Sequence, residues 1–441
     1  MKTSQGEHRR HQRSRIKTTV SMNLEPEPVI THTSGIFSSG VALPNNGQRQ
    51  LKPGQKVRLT FEDDEHLIVE ATIVRVSAQD IEGALAPPLS DNQVGNIIQT
   101  APWHQRLRLR IRRSFWRNTR RISLFLCNTL LRPLFIRLVR PSFLFAVYGT
   151  ERDVATYTTP AMVRLMPDLL LGGVIRNGSR RGLLVASKFY EQELAQDSTK
   201  VRAYLQHLRA EFPRIKTIAL VGRLPNFVMK AGEPIAPPFV DGSMGTRYMI
   251  YDIARQLLLR PEQQGENTIT VLGGAGRIGN RVCEDLTRIY RTVIAFDPRY
   301  TEPEQIYTPL GKIVRSNDPK VFEQCRLYIA LTHHGDVIRP LAQHMPPGSV
   351  VADDTHPCIS LEVRQEMGQR EISVEKIVLV HADFHMWPRM PGWNNSAIPG
   401  CLVEALVLLE QQDADVADFE AFCKTARDIG FAGKLIPPLD E

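Results

Sequence analysis

Gly274, Gly276 and Gly279 stand at the spacing GxGxxG, between an apolar run from Thr268 to Leu272 and an amphipathic stretch that reads as a helix ending near Tyr290. A second apolar run, Thr292 to Phe296, delivers Asp297. In that setting each glycine has a steric task. Gly274 makes a tight turn, Gly276 lets the backbone approach a pyrophosphate, and Gly279 lets helix and strand pack closely. Arg277 and Ile278 fall in the first helical turn, whose unpaired N–H groups and positive dipole end favour phosphate. Asp297 arrives where a carboxylate accepts hydrogen bonds from an adenosine ribose and repels a 2′-phosphate. The pattern therefore predicts NAD, with NADP less favoured, although Arg299 two residues on works against that preference. The competing reading is a Rossmann-like unit that no longer binds nucleotide.

Cys401 offers a second chemistry. Pro399 is a helix-start residue, which places Cys401 in the first turn of the apolar stretch ending at Glu410. There the macrodipole is expected to lower the thiol pKa and favour a nucleophilic thiolate. The bland alternative is a small buried residue at a helix start. Three further strands end in polar clusters: Leu327 to Leu331 runs into Thr332, Ser349 to Ala352 into Asp353-Asp354-Thr355-His356, and Ile377 to Val380 into His381-Ala382-Asp383-Phe384-His385. The carboxyl edge of an open parallel sheet is where ligands bind, so Thr332 is expected on the cofactor. His356, His381 and His385 are all candidate proton donors, and the sequence does not choose among them. Apart from His381 and His385 the histidines come from separate loops, and no metal site is expected.

Holding these groups in place requires an α/β scaffold. Upstream, a strand at Gly182 to Ser187, a helix from Ser198 to about Phe212 capped by Ser198, and a strand at Thr217 to Gly222 read as a βαβ unit. A glycine-rich turn, Phe239 to Arg247, leads into an amphipathic helix, Tyr248 to Leu259. Before all of this lie short, alternating, β-branched segments at Ile16 to Ser21, Pro28 to Thr33, Lys56 to Phe61 and His66 to Val76. The expected fold is a multidomain α/β chain. It has an N-terminal all-β barrel at 1–100, an arginine-rich amphipathic linker at 101–146, a smaller α/β substrate domain at 147–260, and a Rossmann doubly wound parallel sheet with C-terminal helices at 261–441.

The chain's 441 residues suit about three domains. Its six cysteines show no CxxC pair, which points to a reducing compartment. The basic N-terminus has no apolar segment behind it, so a secretory signal is not expected and a cytoplasmic location is. Eleven of the 55 Lys and Arg fall between Trp103 and Arg140, a stretch without an acidic residue, leaving 44 basic against 47 acidic side chains elsewhere. Interleaved with Leu, Ile, Phe and Trp, these arginines suit an interfacial helix on anionic lipid at the inner face of a membrane, with Trp103, Phe115 and Trp116 at headgroup depth. A basic helix packed on its own protein is the alternative. No module that reads base sequence accompanies the arginines, so sequence-specific nucleic-acid binding is not expected.

Two family resemblances bear on these expectations. The N-terminal segments resemble the PilZ family, barrels that bind cyclic di-GMP. The family's RRxxR arm is matched by Arg9, Arg10 and Arg13, and its strand-loop by Gly35 to Leu43, with Leu51 to Phe61 and Ala71 to Val76 following. Guanidinium forks of such an arm chelate phosphates and stack on guanine. The resemblance implies that Arg9, Arg10, Arg13, Ser38 and Gly40 contact cyclic di-GMP. Gly35 and Phe37 stand where the family carries polar residues.

From Phe145 to the end the chain resembles the long-chain acyl-ACP reductases and related predicted dehydrogenases. The matching landmarks are Phe145 to Asp153, Arg181 to Leu184, Gly242 to Thr246, Gly274 to Gly279, the run with Cys401, Glu404 and Glu410, and Gly430-Phe431. The resemblance implies that Cys401 takes an acyl group from acyl carrier protein or acyl-CoA as a thioester, which hydride reduces to an aldehyde. Ser243 and Gly245 depart from the family's turn, and Asp297 from the NADPH that family uses. The alternatives are hydride transfer without a covalent intermediate, and a non-catalytic cyclic di-GMP effector that uses a dehydrogenase-like domain for partner binding.

Overall fold

The apolar runs of the sequence become strands in three separate sheets. The computed structural model describes residues 19–23, 29–32, 35–37, 40–44, 55–61, 68–76, 80–86, 118–149, 157–260, 265–388, 397–410 and 418–437. The chain divides into two units, Met1–Arg120 and Arg121–Glu441.

In the first unit, β1 (Thr19–Asn23), β2 (Val29–His32), β3 (Gly35–Phe37), β4 (Gly40–Pro44), β5 (Lys56–Phe61), β6 (Ile68–Val76) and β7 (Asp80–Ala86) form one antiparallel sheet, ordered β2-β1-β5-β6-β7-β4-β3. Alternation places Val57 and Leu59 inside with Arg58 outside, and Ala71 and Ile73 inside. The sequence reading did not anticipate β7.

Helix Asn118–Asn128 runs through the boundary into the second unit and is followed by helix Arg132–Val139, the two bent by 87°. Among the described residues no single helix is long and apolar enough to cross a membrane. A six-stranded sheet follows, with β8 (Phe143–Gly149), β9 (Leu169–Asn177), β10 (Arg180–Tyr190), β11 (Ile218–Leu220) and β12 (Phe239–Val240). The expected βαβ unit runs from β10 through helix Ser198–Glu211 to β11, but those strands are not neighbours. β8, buried from Phe143 to Val147, lies between them, parallel to both. The helix cap is Asp197, whose Oδ1 accepts the Thr199 N–H at 2.9 Å, not Ser198. Beyond helix Leu224–Lys230, helix Ser243–Leu258 starts five residues before the expected Tyr248.

The larger sheet contains β13 (Thr268–Leu272), β14 (Thr292–Phe296), β15 (Glu304–Tyr307), β16 (Lys312–Ser316), β17 (Leu327–Ala330), β18 (Val350–Asp353) and β19 (Ser373–Val380). Its order is β15-β16-β14-β13-β17-β18-β19-β21, where β21 is Ala432–Ile436, with β16 to β19 parallel and the two edge strands antiparallel. Those six parallel strands follow the order of doubly wound dinucleotide-binding sheets. Helix Arg277–Leu286 joins β13 to β14 and stops four residues short of Tyr290. After β19 the chain returns to the smaller sheet, where β20 (Phe384–Trp387) pairs with β9. It then forms helices Gly400–Glu410 and Phe419–Ile429 and closes the larger sheet with β21 (Ala432–Ile436). One core spans both sheets, including Phe143, Ile250, Val271, Ile329, Leu379 and Leu402.

Candidate functional site

The turn after β13 has the cradle its glycines imply, with the tasks shifted by one residue. Gly273, at φ 94°, takes the left-handed conformation and with it the tight turn, the task the sequence reading gave to Gly274. Gly274 is needed for close approach instead, since a Cβ there would lie 2.8 Å from the Cβ of Ala295 on β14. A Cβ on Gly279 would overlap the Gly273 carbonyl oxygen, so helix meets turn at backbone distance. At Gly276 a Cβ would meet only the Gly273 oxygen at 3.1 Å, with Arg299 and the Gly279 nitrogen each at 3.9 Å. That leaves the backbone at the helix start open to the approach of a pyrophosphate. Ile278 is half-buried against the core. Thr332 follows β17 beside this turn: a Cβ on Gly273 would lie 3.4 Å from its nitrogen, and its hydroxyl donates to the His334 carbonyl at 2.8 Å.

Asp297 is buried and already engaged. Its carboxylate accepts the Ala275 N–H at 3.1 Å and is gripped by Arg299, Nε at 2.9 Å and Nη2 at 2.8 Å. Burial by itself would raise its pKa, but the Arg299 and backbone hydrogen bonds prevail and hold it below the usual carboxylate range. The carboxylate expected to face the ribose thus carries a guanidinium.

Three helix starts meet beside the turn. Arg277 forms an ion pair with Asp241, which also accepts the Ser243 N–H at 2.9 Å. Gly242, at φ 71°, precedes helix Ser243–Leu258, and a Cβ on it would overlap that of Cys401. A Cβ on Gly245 would likewise overlap the Gly400 carbonyl, so these two helices cross in backbone contact. Glu404 then reaches across to accept the Met244 N–H at 2.8 Å, capping the neighbouring helix from outside.

Cys401 is half-buried in the first turn of helix Gly400–Glu410, as its proline predicted. Its thiol does not behave as expected. Burial pushes it up to about 12, the Gly222 N–H hydrogen bond opposes that, and the nearby Asp354 charge adds to it. Desolvation outweighs the helix dipole here.

Asp354 has its carboxyl raised to about 7 by burial; Lys376 opposes the shift and Asp353 adds to it. Lys376 is buried and donates to the Thr355 carbonyl at 2.7 Å. Asp353 secures the loop, accepting from Thr355 N–H at 2.8 Å and Ile359 N–H at 3.0 Å. His356 has exposed surface yet is ringed by protein, and desolvation with the Lys376 charge holds its imidazole well below the ordinary value. The electrostatics thus connect Cys401, Asp354, Lys376 and His356.

His381 stands elsewhere. Its Nδ1 accepts the Asp383 N–H at 3.1 Å, and its Nε2 faces the Ile429 carbonyl at 3.0 Å. Both ring nitrogens are therefore engaged by the fold. His385 is exposed on β20, opposite Arg176. Among the described residues no group of three or more His, Cys, Asp or Glu is placed to hold a metal ion.

Asp354, Lys376, Asp241 and Glu404 were not singled out as site residues from sequence. Two left a readable trace: Lys376 is a charge inside a parallel strand, and Glu404 a charge inside a nearly all-apolar helix. In the first unit, Arg9, Arg10, Arg13 and Ser38 lie outside the described residues, while Gly40 opens β4 opposite Phe37 and Ala84.

Residues 7–98 match the PilZ domain family. No curated protein matches the chain. Among solved structures, the chain is similar to L-tryptophan dehydrogenase from Nostoc punctiforme at 11% identity and TM-score 0.35, covering 66% of this chain and 80% of that one. It is also similar to shikimate dehydrogenase from Aquifex aeolicus at 12% identity and TM-score 0.33, covering 66% and 98%. The Bacillus subtilis inhibitor of motility MotI/DgrA matches at 19% identity and TM-score 0.17, over 20% of this chain and 47% of that one.

Proposed function

We propose that residues 121–441 form a nicotinamide-dependent oxidoreductase that reduces an acyl thioester, presented on acyl carrier protein or coenzyme A, through a thioester on Cys401. Residues 7–98, closing as a β-barrel, make it responsive to cyclic di-GMP. The observation that carries the reading is the junction of three helix starts, where Arg277 of the glycine turn pairs with Asp241 and Gly242 seats Cys401. Thiol and dinucleotide turn thereby belong to one corner of the fold.

Gly274, Gly276, Arg277, Ile278 and Gly279 would hold the pyrophosphate end of NAD or NADP, with Asp297 and Arg299 at the ribose and Thr332 toward the nicotinamide. The dinucleotide, when bound, supplies the hydride. A thiol pushed up to about 12 needs a base, and Asp354, raised to about 7, is a carboxylate above that pH. Asp354 takes the Cys401 proton, and the sulfur adds to the thioester carbonyl carbon. The bond from that carbon to the donor sulfur breaks, and the donor leaves as its thiol. The Gly222 N–H, with the first N–H groups of helix Gly400–Glu410, stabilises negative charge at this corner. Once hydride has been supplied to the carbonyl carbon, the bond from that carbon to Cys401 breaks, aldehyde departs, and the thiolate takes a proton from Asp354, which solvent has reprotonated after its first proton left on the donor thiol.

One observation favours a second reading, direct hydride transfer with Asp354 as proton donor: its carboxyl is poised near neutrality whereas the thiol is not. Nicotinamide oxidation with a panel of acyl thioesters, followed across pH for wild type, Cys401→Ala and Asp354→Asn, separates the two. The covalent route predicts turnover rising through about pH 7 in wild type, none in Cys401→Ala, and no such rise in Asp354→Asn. Turnover retained in Cys401→Ala selects direct transfer, and no turnover with any donor overturns the activity.

A further inference from the structure

The bend between helices Asn118–Asn128 and Arg132–Val139 presents what a folded protein ordinarily hides. Leu130, Leu134 and Leu138 are 80%, 55% and 64% exposed and recur every four residues, with Ile122 and Leu131 also exposed. The bend is nevertheless firmly mounted. Asn128 is fully buried, and its amide pairs with the edge of β9, accepting the Leu171 N–H at 2.6 Å and donating to the Leu171 carbonyl at 3.1 Å. Arg132 is spent on the fold through its ion pair with Glu211 at 2.6 Å.

Beside the leucines lies a groove of about 820 Å³, lined by Leu134, Arg137, Leu138, Arg140, Arg180 and Arg181 among others. Its one carboxylate, Glu410, is paired with Arg180 at 3.2 Å. Among the described residues, Arg137 and Arg140 have no acidic partner. The groove is thus strongly positive next to a stripe of solvent-facing leucines.

We propose that this face, the exposed leucines with the arginine groove, seats the protein on an anionic phospholipid bilayer. The charge complementarity is that of an interfacial anchor: guanidinium groups at lipid phosphates, leucines at the acyl boundary, and two short helices that lie along the surface. The seat is independent of the chemistry at Cys401. It is also distinct from the arginines at 103–117, which the test variants leave intact.

The test is flotation of the full chain with vesicles of phosphatidylcholine alone or mixed three to one with phosphatidylglycerol, at low and high salt. Wild type is expected on the mixed vesicles and not on the neutral ones, with binding falling as salt rises. Arg137→Ala with Arg140→Ala should weaken partitioning about 25-fold, at about fivefold per arginine near an anionic surface. Leu134→Ser with Leu138→Ser should weaken it while melting temperature stays that of wild type. The proposal is overturned if wild type ignores anionic vesicles, if neutral vesicles bind equally, or if both paired variants bind as wild type does. A change from dimer to monomer in sedimentation, with vesicle binding kept, would make the face a contact between copies instead.

Discussion

Replacing Gly279 by alanine demands room that the dinucleotide turn lacks. A Cβ there would overlap the Gly273 carbonyl oxygen and lie 3.0 Å from its carbon and 3.2 Å from the Gly274 Cα. All three are backbone atoms, so relief requires the helix to retreat from the turn. Two effects oppose each other. Alanine is better than glycine in a helix interior by about 1 kcal/mol, whereas forced overpacking costs about 1–3 kcal/mol. The contact is with backbone, so the clash should win, giving a net loss of about 1 kcal/mol or more in urea unfolding. Dinucleotide binding should weaken as well, and turnover further, because a misplacement of about 1 Å can cost on the order of 10²-fold in rate. Gly276→Ala is the milder comparison: its Cβ would lie 3.1 Å from the Gly273 backbone oxygen and 3.9 Å from its next neighbours, so stability should fall less than in Gly279→Ala while the pyrophosphate face is blocked. Fluorescence titration with the reduced nicotinamide reads both variants. A Gly279→Ala protein that is more stable than wild type and binds dinucleotide normally would refute the steric argument.

Glu404, its carboxyl pushed up to about 7 mainly by burial from a model-compound value of 4.5, should make stability fall as pH rises. The folded state prefers the protonated form, so its contribution is complete below the unfolded pKa and lost through about pH 7, amounting to about 3 kcal/mol at 1.36 kcal/mol per unit. Unfolding measured against pH should show that decline shrinking in Glu404→Gln, which keeps an acceptor for Met244. Arg247 grips buried Asp285 at 2.7 Å through both Nε and Nη2 and stacks on Phe419 at 4.3 Å. Arg247→Ala strands that carboxylate and should cost about 3–5 kcal/mol, much of it recovered by a paired apolar replacement of both residues. Arg299→Ala frees Asp297 and should shift the ratio of NADPH to NADH dissociation constants at least about tenfold toward NADH; an unchanged ratio would remove Arg299 from the ribose site.

Sequence and structure agree best where physics is local. β13 and β14 fall at the residues read from sequence, because strands buried on both faces are unbroken apolar runs stopped by glycine or charge. β8 is just as apolar, but it abuts the arginine-rich stretch and was absorbed into it. The early start of helix Ser243–Leu258 was hidden by its glycines, which serve the crossing with helix Gly400–Glu410, a contact made across more than 150 residues of chain. The grip of Arg299 on Asp297 spans two residues and was legible as a warning about the cofactor. The thiol of Cys401 was not, because burial and Asp354 act on it through the tertiary fold. His381 looked like a ligand-facing histidine at a strand end, yet its partner, Ile429, lies 48 residues on.

The most direct test of the central claim is the intact mass of the protein after incubation with acyl-ACP and acyl-CoA donors without nicotinamide, for wild type and Cys401→Ala. The account predicts an acyl-sized mass gain on wild type alone, discharged when the reduced dinucleotide is added. No adduct with any donor, in protein that binds the dinucleotide, would contradict it.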